Sequence, residues 1–218
     1  MKIIQFQNCI SNLPVRHQSF TTKRDNEKWI YVENKLNWYL NLNDKIFGNN
    51  PSYTSSRQDL HNLNNIDSDK LLKIFYWGYP KGFQGYKNNF ELINNLEIIA
   101  AELNDLKTKK NLKTEDYLEF HERTKKIEGL GISTYSKFLY FSGIEFNKIP
   151  SMILDKRLMD VFNKNIFDEY QSISIIRPDN AHKKYINYLE VTHNLSLSMN
   201  TKEENIEQFL FIFGKNLK

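Results

Sequence analysis

Cysteine is almost missing from this chain of 218 residues: Cys9 stands alone, so no disulfide can close within it. Five histidines, at 17, 61, 121, 182 and 193, fall into no Cys/His spacing and pair with no carboxylate in a triad-like pattern. Structural zinc is therefore not expected, no cofactor is called for, and no histidine is given a catalytic role. Long apolar runs are missing too. The stretch Phe209-Leu210-Phe211-Ile212-Phe213 falls far short of the roughly 20 residues that a membrane helix needs, which excludes a bilayer span and a membrane partner. The opening Met1-Lys2-Ile3-Ile4-Gln5-Phe6-Gln7-Asn8 lacks the apolar stretch and small-residue cleavage site of a secretory signal, so a cytoplasmic location is expected. There is no internal repeat, no low-complexity tract and no linker long enough to separate independent domains.

What is present fits one domain spanning 1–218, in one body or two lobes, because 40% apolar residues over this length can bury a real core. The chain is expected to act as a monomer. A net charge of +4 and a pI near 8.9 fit a polyanion partner. The abundance of Asn, Lys and Ile also looks like a coding bias towards A and T, so the position of the charges matters more than their sum. Apolar residues recur at helical spacing over 27–42, 70–77, 90–107, 114–126, 156–163, 181–198 and 203–215, and a helix is read from Ser136 onward. Asp67-Ser68-Asp69 caps the second of these and Gly78 with Pro80 ends it. A strand pattern appears at 2–6 alone. The fold class is mostly α.

The informative stretch is Ile127-Glu128-Gly129-Leu130-Gly131-Ile132-Ser133-Thr134-Tyr135-Ser136-Lys137-Phe138-Leu139. Gly129 and Gly131 bracket one apolar residue between two helices, where glycine permits positive φ and lets another backbone approach. Free amides at the start of the second helix can take up a phosphate, so the pattern reads as a clamp on the DNA backbone. It is equally the form of an ordinary helix C-cap and turn. Downstream, Ile149-Pro150-Ser151-Met152-Ile153-Leu154-Asp155-Lys156-Arg157-Leu158 places an acid at the mouth of a helix after an apolar lead-in.

Taken together, the hairpin, Lys137 and an Asp eighteen residues after it resemble the helix-hairpin-helix DNA glycosylase superfamily (HhH-GPD), most closely its 8-oxoguanine glycosylase-like branch. The resemblance implies a two-lobed helical fold. In it the hairpin and catalytic segment lie at about 120–165, and N- and C-terminal helices complete the second lobe. It also implies double-stranded DNA as the partner, with Asp155 as the acid that starts a helix after a Pro-containing loop. Two registers stay open for the nucleophile. Laying Gly129-Leu130-Gly131 on the family's hairpin puts Ser133 at that position, as in monofunctional adenine glycosylases, but leaves twenty-two residues before the acid. Laying Ser136-Lys137 on it gives the usual spacing to Asp155, at the expense of a longer hairpin turn and Tyr135 where a small residue belongs. Lys137 is the preferred assignment.

The chemistry gives the pair its roles. Breaking a glycosidic bond builds positive charge on the sugar, which a carboxylate near C1′ stabilises; this is the role expected of Asp155. An amine whose pKa is lowered by burial or a neighbouring cation attacks C1′ and holds the sugar as a Schiff base, which then permits strand cleavage; this is the role expected of Lys137. A base inside a duplex must first be flipped into an aromatic or apolar pocket. Candidate walls are Phe141, one turn after Lys137; Trp77 in Phe75-Tyr76-Trp77-Gly78-Tyr79-Pro80; and Phe209 and Phe213, in a segment resembling the closing helix of 8-oxoguanine glycosylase-like proteins. Lys156 and Arg157, with Lys125-Lys126 and Lys183-Lys184, are candidate phosphate contacts.

Three readings remain open from the residues. The first is a DNA glycosylase, with or without lyase activity, acting on an oxidised or otherwise modified base. Small proteins of the resembled branch also occur in bacterial antiviral defence clusters, which implies a repair or a defence setting and, in the latter, other defence proteins as partners. The second is a catalytically silent hairpin module that binds DNA, and the third is an all-α interaction protein whose Gly-x-Gly is a turn.

Overall fold

Apolar residues crowd every side of Ser68–Gly78, and that segment forms the central helix of the molecule. The computed structural model describes residues 1–82 and 86–217 and is mostly helical. Helices α1 (Gln7–Ser11), α2 (Glu27–Glu33), α3 (Asn37–Phe47) and α4 (Arg57–His61) precede the central α5 (Ser68–Gly78). Then come α6 (Tyr86–Asn94), α7 (Leu96–Thr108), α8 (Thr114–Thr124), α9 (Ile132–Phe141), α10 (Lys156–Asn163), α11 (Ala181–Ser198) and α12 (Glu203–Phe213). Asp67 starts α5 by accepting the Lys70 amide at 2.9 Å, as expected of an N-cap. Leu71, Leu72, Ile74, Phe75, Tyr76 and Trp77 are all buried, so α5 packs on several faces, touching α3, α7 and α9.

Two short antiparallel pairs complete the fold. Strand β1 (Ser19–Lys23) pairs with β2 (Ser52–Ser56) in the register Ser19↔Ser56 to Lys23↔Ser52, and β3 (Glu145–Phe146) pairs with β4 (Ile149–Pro150). The first pair carries no apolar alternation, because both strands are mostly Ser and Thr; it packs on α5 and links Thr21 to Thr54 through their hydroxyls at 2.8 Å. The strand expected at 2–6 is instead a 3-10 turn, Ile3–Phe6. A strand needs a ladder partner, and here the Ile3 amide is taken by the Glu169 carboxylate at 3.0 Å.

Two expected helices are each broken in two. The 27–42 segment parts between Glu33 and Asn37, where Leu36 is extended, and α3 then runs on to Phe47. The 90–107 segment breaks at Asn95, whose side-chain amide donates to the Glu91 carbonyl at 2.7 Å and so competes with the helical ladder. Helix α12 stops at Phe213, two residues before the expected end, and passes into a 3-10 turn where a Cβ on Gly214 would meet Val161 at 2.8 Å.

Candidate active site

The turn between α8 and α9 is short. Helix α9 begins at Ile132, directly after Gly131, four residues earlier than read from sequence, and the longer hairpin turn required by the Lys137 register is not formed. Gly129 has φ +85°, and a Cβ there would lie 2.6 Å from the Asn88 carbonyl oxygen, so the position takes glycine on two grounds. Gly131 is different. Its φ is −78°, nothing lies within 4 Å of a Cβ built on it, and it provides α9 with no side-chain cap. In the first turn of α9 the amides of Ile132 and Ser133 have no helical acceptor, whereas that of Thr134 donates to the Gly131 carbonyl at 2.9 Å, and Ile132 and Ser133 border a hollow of about 370 Å³. Tyr79, Asn88, Gly129, Gly131, Ser133, Thr134 and Pro178 border it. Thr134 braces the turn, its hydroxyl 3.2 Å from the Gly129 carbonyl and 3.2 Å from the Tyr79 hydroxyl.

Every residue of α9 is buried except Ser133, which borders the hollow. Lys137 lies one turn further in and is 4% exposed. Its ammonium donates to the Ser133 carbonyl at 2.6 Å and sits 4.7 Å from the centre of the Tyr79 ring. Gly78 makes the room: a Cβ there would collide with the Lys137 stem at 2.6 Å. The two nucleophile registers thus meet in one place, with Ser133 and Lys137 stacked four residues apart on one helix face.

Asp155 reaches the same neighbourhood through a pinned lead-in. Tyr185 and Tyr188 of α11 donate to the carbonyls of Met152 and Ile153, at 2.8 and 3.0 Å. The Leu154 amide donates to the Ser136 hydroxyl at 3.0 Å. That last bond ties the residue before Asp155 to the residue before Lys137. The Asp155 Oδ1 caps α10, accepting from the amides of Arg157 and Leu158 at 2.9 and 3.1 Å.

Between these elements lies a buried polar cluster that no local pattern in the sequence marks. Arg57, 1% exposed, donates to the Glu207 carboxylate at 2.7 Å, to Gln18 at 2.7 Å and to the Tyr140 hydroxyl at 3.3 Å. Its guanidinium lies over the Trp77 and Tyr140 rings at 5.4 and 5.3 Å. The Tyr140 hydroxyl in turn donates to the Glu204 carboxylate at 2.8 Å. Burial pushes the Glu207 carboxyl up, Arg57 opposes that, and the fields of Asp155 and Lys137 also reach it, with opposite signs. The Glu207 Oε1 and Gln208 Oε1 are buried acceptors that find no partner among the described residues.

The expected pocket walls divide. Trp77 and Phe141 come together edge to face at 5.2 Å, against Arg57 and one turn from Lys137. Phe209 and Phe213 do not join them. Positions two apart on a helix point in nearly opposite directions, so with Glu207 turned to Arg57, Phe209 faces Phe6 and Phe167, and Phe213 rests on Phe209 with 38% exposure. The side of α12 carrying Glu207 presents Phe211 next, beneath the Arg157 guanidinium at 5.0 Å. Arg157 also donates to the Ile212 carbonyl at 3.3 Å. Lys156 is exposed and paired with Asp160, and Lys125 with Glu122. The described residues hold no group of His, Cys, Asp and Glu arranged for a metal ion, and no described helix is long and apolar enough to cross a membrane.

No curated protein and no solved structure matches the chain. A family model does, over residues 13–211, a span that takes in the β1–β2 pair, the hairpin, Lys137, Asp155 and most of α12. Its description is "Putative 8-oxoguanine DNA glycosylase OGG-like protein", and with nearly the whole chain matched, this protein belongs to that OGG-like glycosylase family.

Proposed function

We propose that the protein is a DNA N-glycosylase that removes an oxidised or otherwise modified base, 8-oxoguanine-like, from duplex DNA, in repair or in antiviral defence. One observation carries the reading. The hydrogen bond from the Leu154 amide to the Ser136 hydroxyl ties the residue before Asp155 to the residue before Lys137, on a helix whose first two amides, those of Ile132 and Ser133, have no helical acceptor, and this supports a site that Asp155 and Lys137 share. A phosphate taken up by those amides, with Gly129 and Gly131 giving the backbone room, brings a sugar to the two side chains. Asp155 has a second carboxylate oxygen beyond the one that caps α10, and it stabilises the positive charge that grows at C1′ as the base departs.

Lys137 is the nucleophile in this reading. Once its ammonium has left the Ser133 carbonyl and lost a proton to water, the amine attacks C1′ as the C1′–N bond to the base breaks, and the departing base takes up the second proton that the nitrogen releases as its bond to C1′ forms. Ring opening then yields the Schiff base from which the 3′ phosphate is eliminated. Trp77 and Phe141 contribute the aromatic wall of the base pocket, and the buried oxygens of Glu207 and Gln208 accept from the N–H groups of the base. Lys156 and Arg157 contact flanking phosphates once their present partners are exchanged for DNA. A second route is favoured by Ser133 bordering the hollow at the helix start, the position of a monofunctional enzyme: base release without a covalent intermediate.

The test incubates the protein with duplexes carrying 8-oxoguanine, uracil or other modified bases and separates the free base by chromatography, with and without borohydride. Base release with a trapped adduct that Lys137→Ala abolishes is the expected result. Release without trapping, unaffected by Lys137→Ala and lost in Asp155→Asn, moves the assignment to the Ser133 route. Tight duplex binding with no release from any substrate overturns the enzymatic reading in favour of a silent hairpin module.

A further inference from the structure

Two lysines near the C-terminal end of α9 carry charge that no carboxylate among the described residues pairs with. Lys70, in the first turn of α5, is 4% exposed, and its ammonium donates to the Leu63 carbonyl at 2.7 Å. Lys107, in the last turn of α7, donates to the Gly143 carbonyl, just past α9, at 2.9 Å. An ammonium has three donors, so each lysine keeps two beyond the carbonyl it holds. Burial first, and then the field of Lys107, push the Lys70 ammonium below the usual lysine range, against the pull of Asp67. Holding a carbonyl does not require this arrangement, since an exposed lysine does so with its head in water. A buried ammonium beside a second cation costs stability unless an anion accepts from both.

Both lysines border a hollow of about 540 Å³ between the loop joining α4 to α5, the end of α7 and the end of α9. No residue that lines it is acidic. Ser142 and His61 line it as well, and the Ser142 hydroxyl and the His61 Nε2 are buried without a partner among the described residues. Ser142 is 6% exposed. The His61 imidazole is neutral, because burial and the fields of Arg16, Lys70 and Arg57 push it down to about 3, so its Nε2 can carry a proton and donate.

Two cations and two neutral donors, with no carboxylate among them, select an anion that offers several acceptor oxygens. A phosphate monoester has both the charge and the oxygens to accept from the two ammoniums at once. The hollow is larger than a phosphate, and Leu63, Ile66 and Phe141 on its wall suit an organic body. The DNA backbone offers the same group, but the position is wrong for it. At 1.5 Å per residue, Ser142 lies roughly 15 Å along α9 from the Ile132 amide, at the opposite end of the helix from Gly129 and Gly131.

We propose that this hollow binds the phosphate of a small phosphorylated molecule between Lys70 and Lys107, with Ser142 and His61 as further donors, at a site separate from the duplex. The site does not depend on the glycosylase reading above, and Lys70, Lys107 and Ser142 have no part in that chemistry.

The experiment titrates inorganic phosphate and adenosine monophosphate into the protein at constant ionic strength, by calorimetry and by melting temperature. It compares the wild type with Lys70→Met, Lys107→Gln, Ser142→Ala and Gly131→Ala. The wild type is expected to bind adenosine monophosphate with a Kd of about 1 mM or below. Its melting temperature should rise by roughly 3–6 °C at ten times that Kd. Lys70→Met and Lys107→Gln are each expected to weaken binding roughly tenfold, and Ser142→Ala roughly two- to fivefold. Lys107 is exposed, so Lys107→Gln decides the matter if Lys70→Met fails to fold. Gly131→Ala, at the other end of α9, should leave binding within about twofold. An unmodified duplex is expected not to displace the phosphate and to bind Lys107→Gln as it binds the wild type. Binding of neither probe, binding unchanged in Lys107→Gln, or binding lost in Gly131→Ala overturns the site. Displacement by the duplex, with duplex binding weakened in Lys107→Gln, assigns the lysines to the DNA backbone and overturns the small molecule.

Discussion

Around 129–134 the working atoms are backbone amides facing open space, and the one side chain offered there is Ser133. Ten or so ångströms deeper, around Arg57 and Glu207, they are charged and aromatic side chains packed until almost no water can reach them. The hairpin gathers its parts from a few consecutive residues. The buried cluster gathers Gln18, Arg57, Trp77, Tyr140 and Glu207 from five separate segments. In the function proposed above, the difference is a division of labour: the open region locates a phosphate with groups that every sequence possesses, whereas the closed region discriminates with groups that had to be placed individually.

Breaking the closed region has the largest expected effect on the fold. Glu207→Ala leaves the Arg57 charge buried without its partner, and a loss of roughly 3–5 kcal/mol in unfolding free energy is expected by denaturant titration. The double variant Arg57→Met, Glu207→Leu removes both charges and should recover most of it. Next comes the chemical step. Asp155→Asn keeps the cap on α10, because Asn caps as well as Asp, so the melting temperature should stay put while base release falls roughly 100- to 1,000-fold.

The hairpin itself supplies a sharper contrast between two neighbouring glycines. Gly129→Ala, at φ +85° and against the Asn88 carbonyl, should lose about 1–3 kcal/mol of stability. Gly131→Ala meets open space and should lose less than about 1 kcal/mol, yet weaken duplex binding in a filter assay by standing where the phosphate sits. The smallest effect concerns acid. Burial first, then the fields of Arg16, Lys70 and Arg57, push the His61 imidazole down to about 3, so it is neutral in the fold and packs on Tyr140 and Phe141. Its folded value lies below the unfolded one, so the stability it contributes is present above about pH 6.5 and is lost progressively as pH falls towards 3. His61→Gln should flatten the decline in unfolding free energy measured between about pH 7 and pH 5.

The same contrast explains what could be read from the chain. The turn is legible because Gly129 and Gly131 stand together between two helices, although α9 starts at Ile132 and not at Ser136, and the cap at Asp155 is legible because an N-cap follows from local residue types. The mostly helical class follows from apolar spacing on α5, α7, α8, α10 and α11. The β1–β2 pair is not legible, since Ser-Phe-Thr-Thr-Lys and Ser-Tyr-Thr-Ser-Ser show no alternation and owe their pairing to α5 beneath them. Nor is the break at Asn95, which depends on one side-chain amide choosing a carbonyl. Arg57 and Glu207 are 150 positions apart and carry no local sign of their ion pair. Phe209 and Phe213 are candidates by likeness of the segment, but the rotation of α12 about its axis is set by what it packs on, and that rotation turns Glu207 to Arg57 while burying Phe209 against Phe6 and Phe167.

The most direct test of the central claim is to identify the residue that holds the sugar. A duplex carrying 8-oxoguanine is incubated with the wild-type protein in borohydride, the adduct is digested, and the peptide bearing the reduced sugar is sequenced by mass spectrometry. The account predicts a single adduct, on Lys137. Base release with the sugar on any other amine, or with no adduct at all, would contradict it.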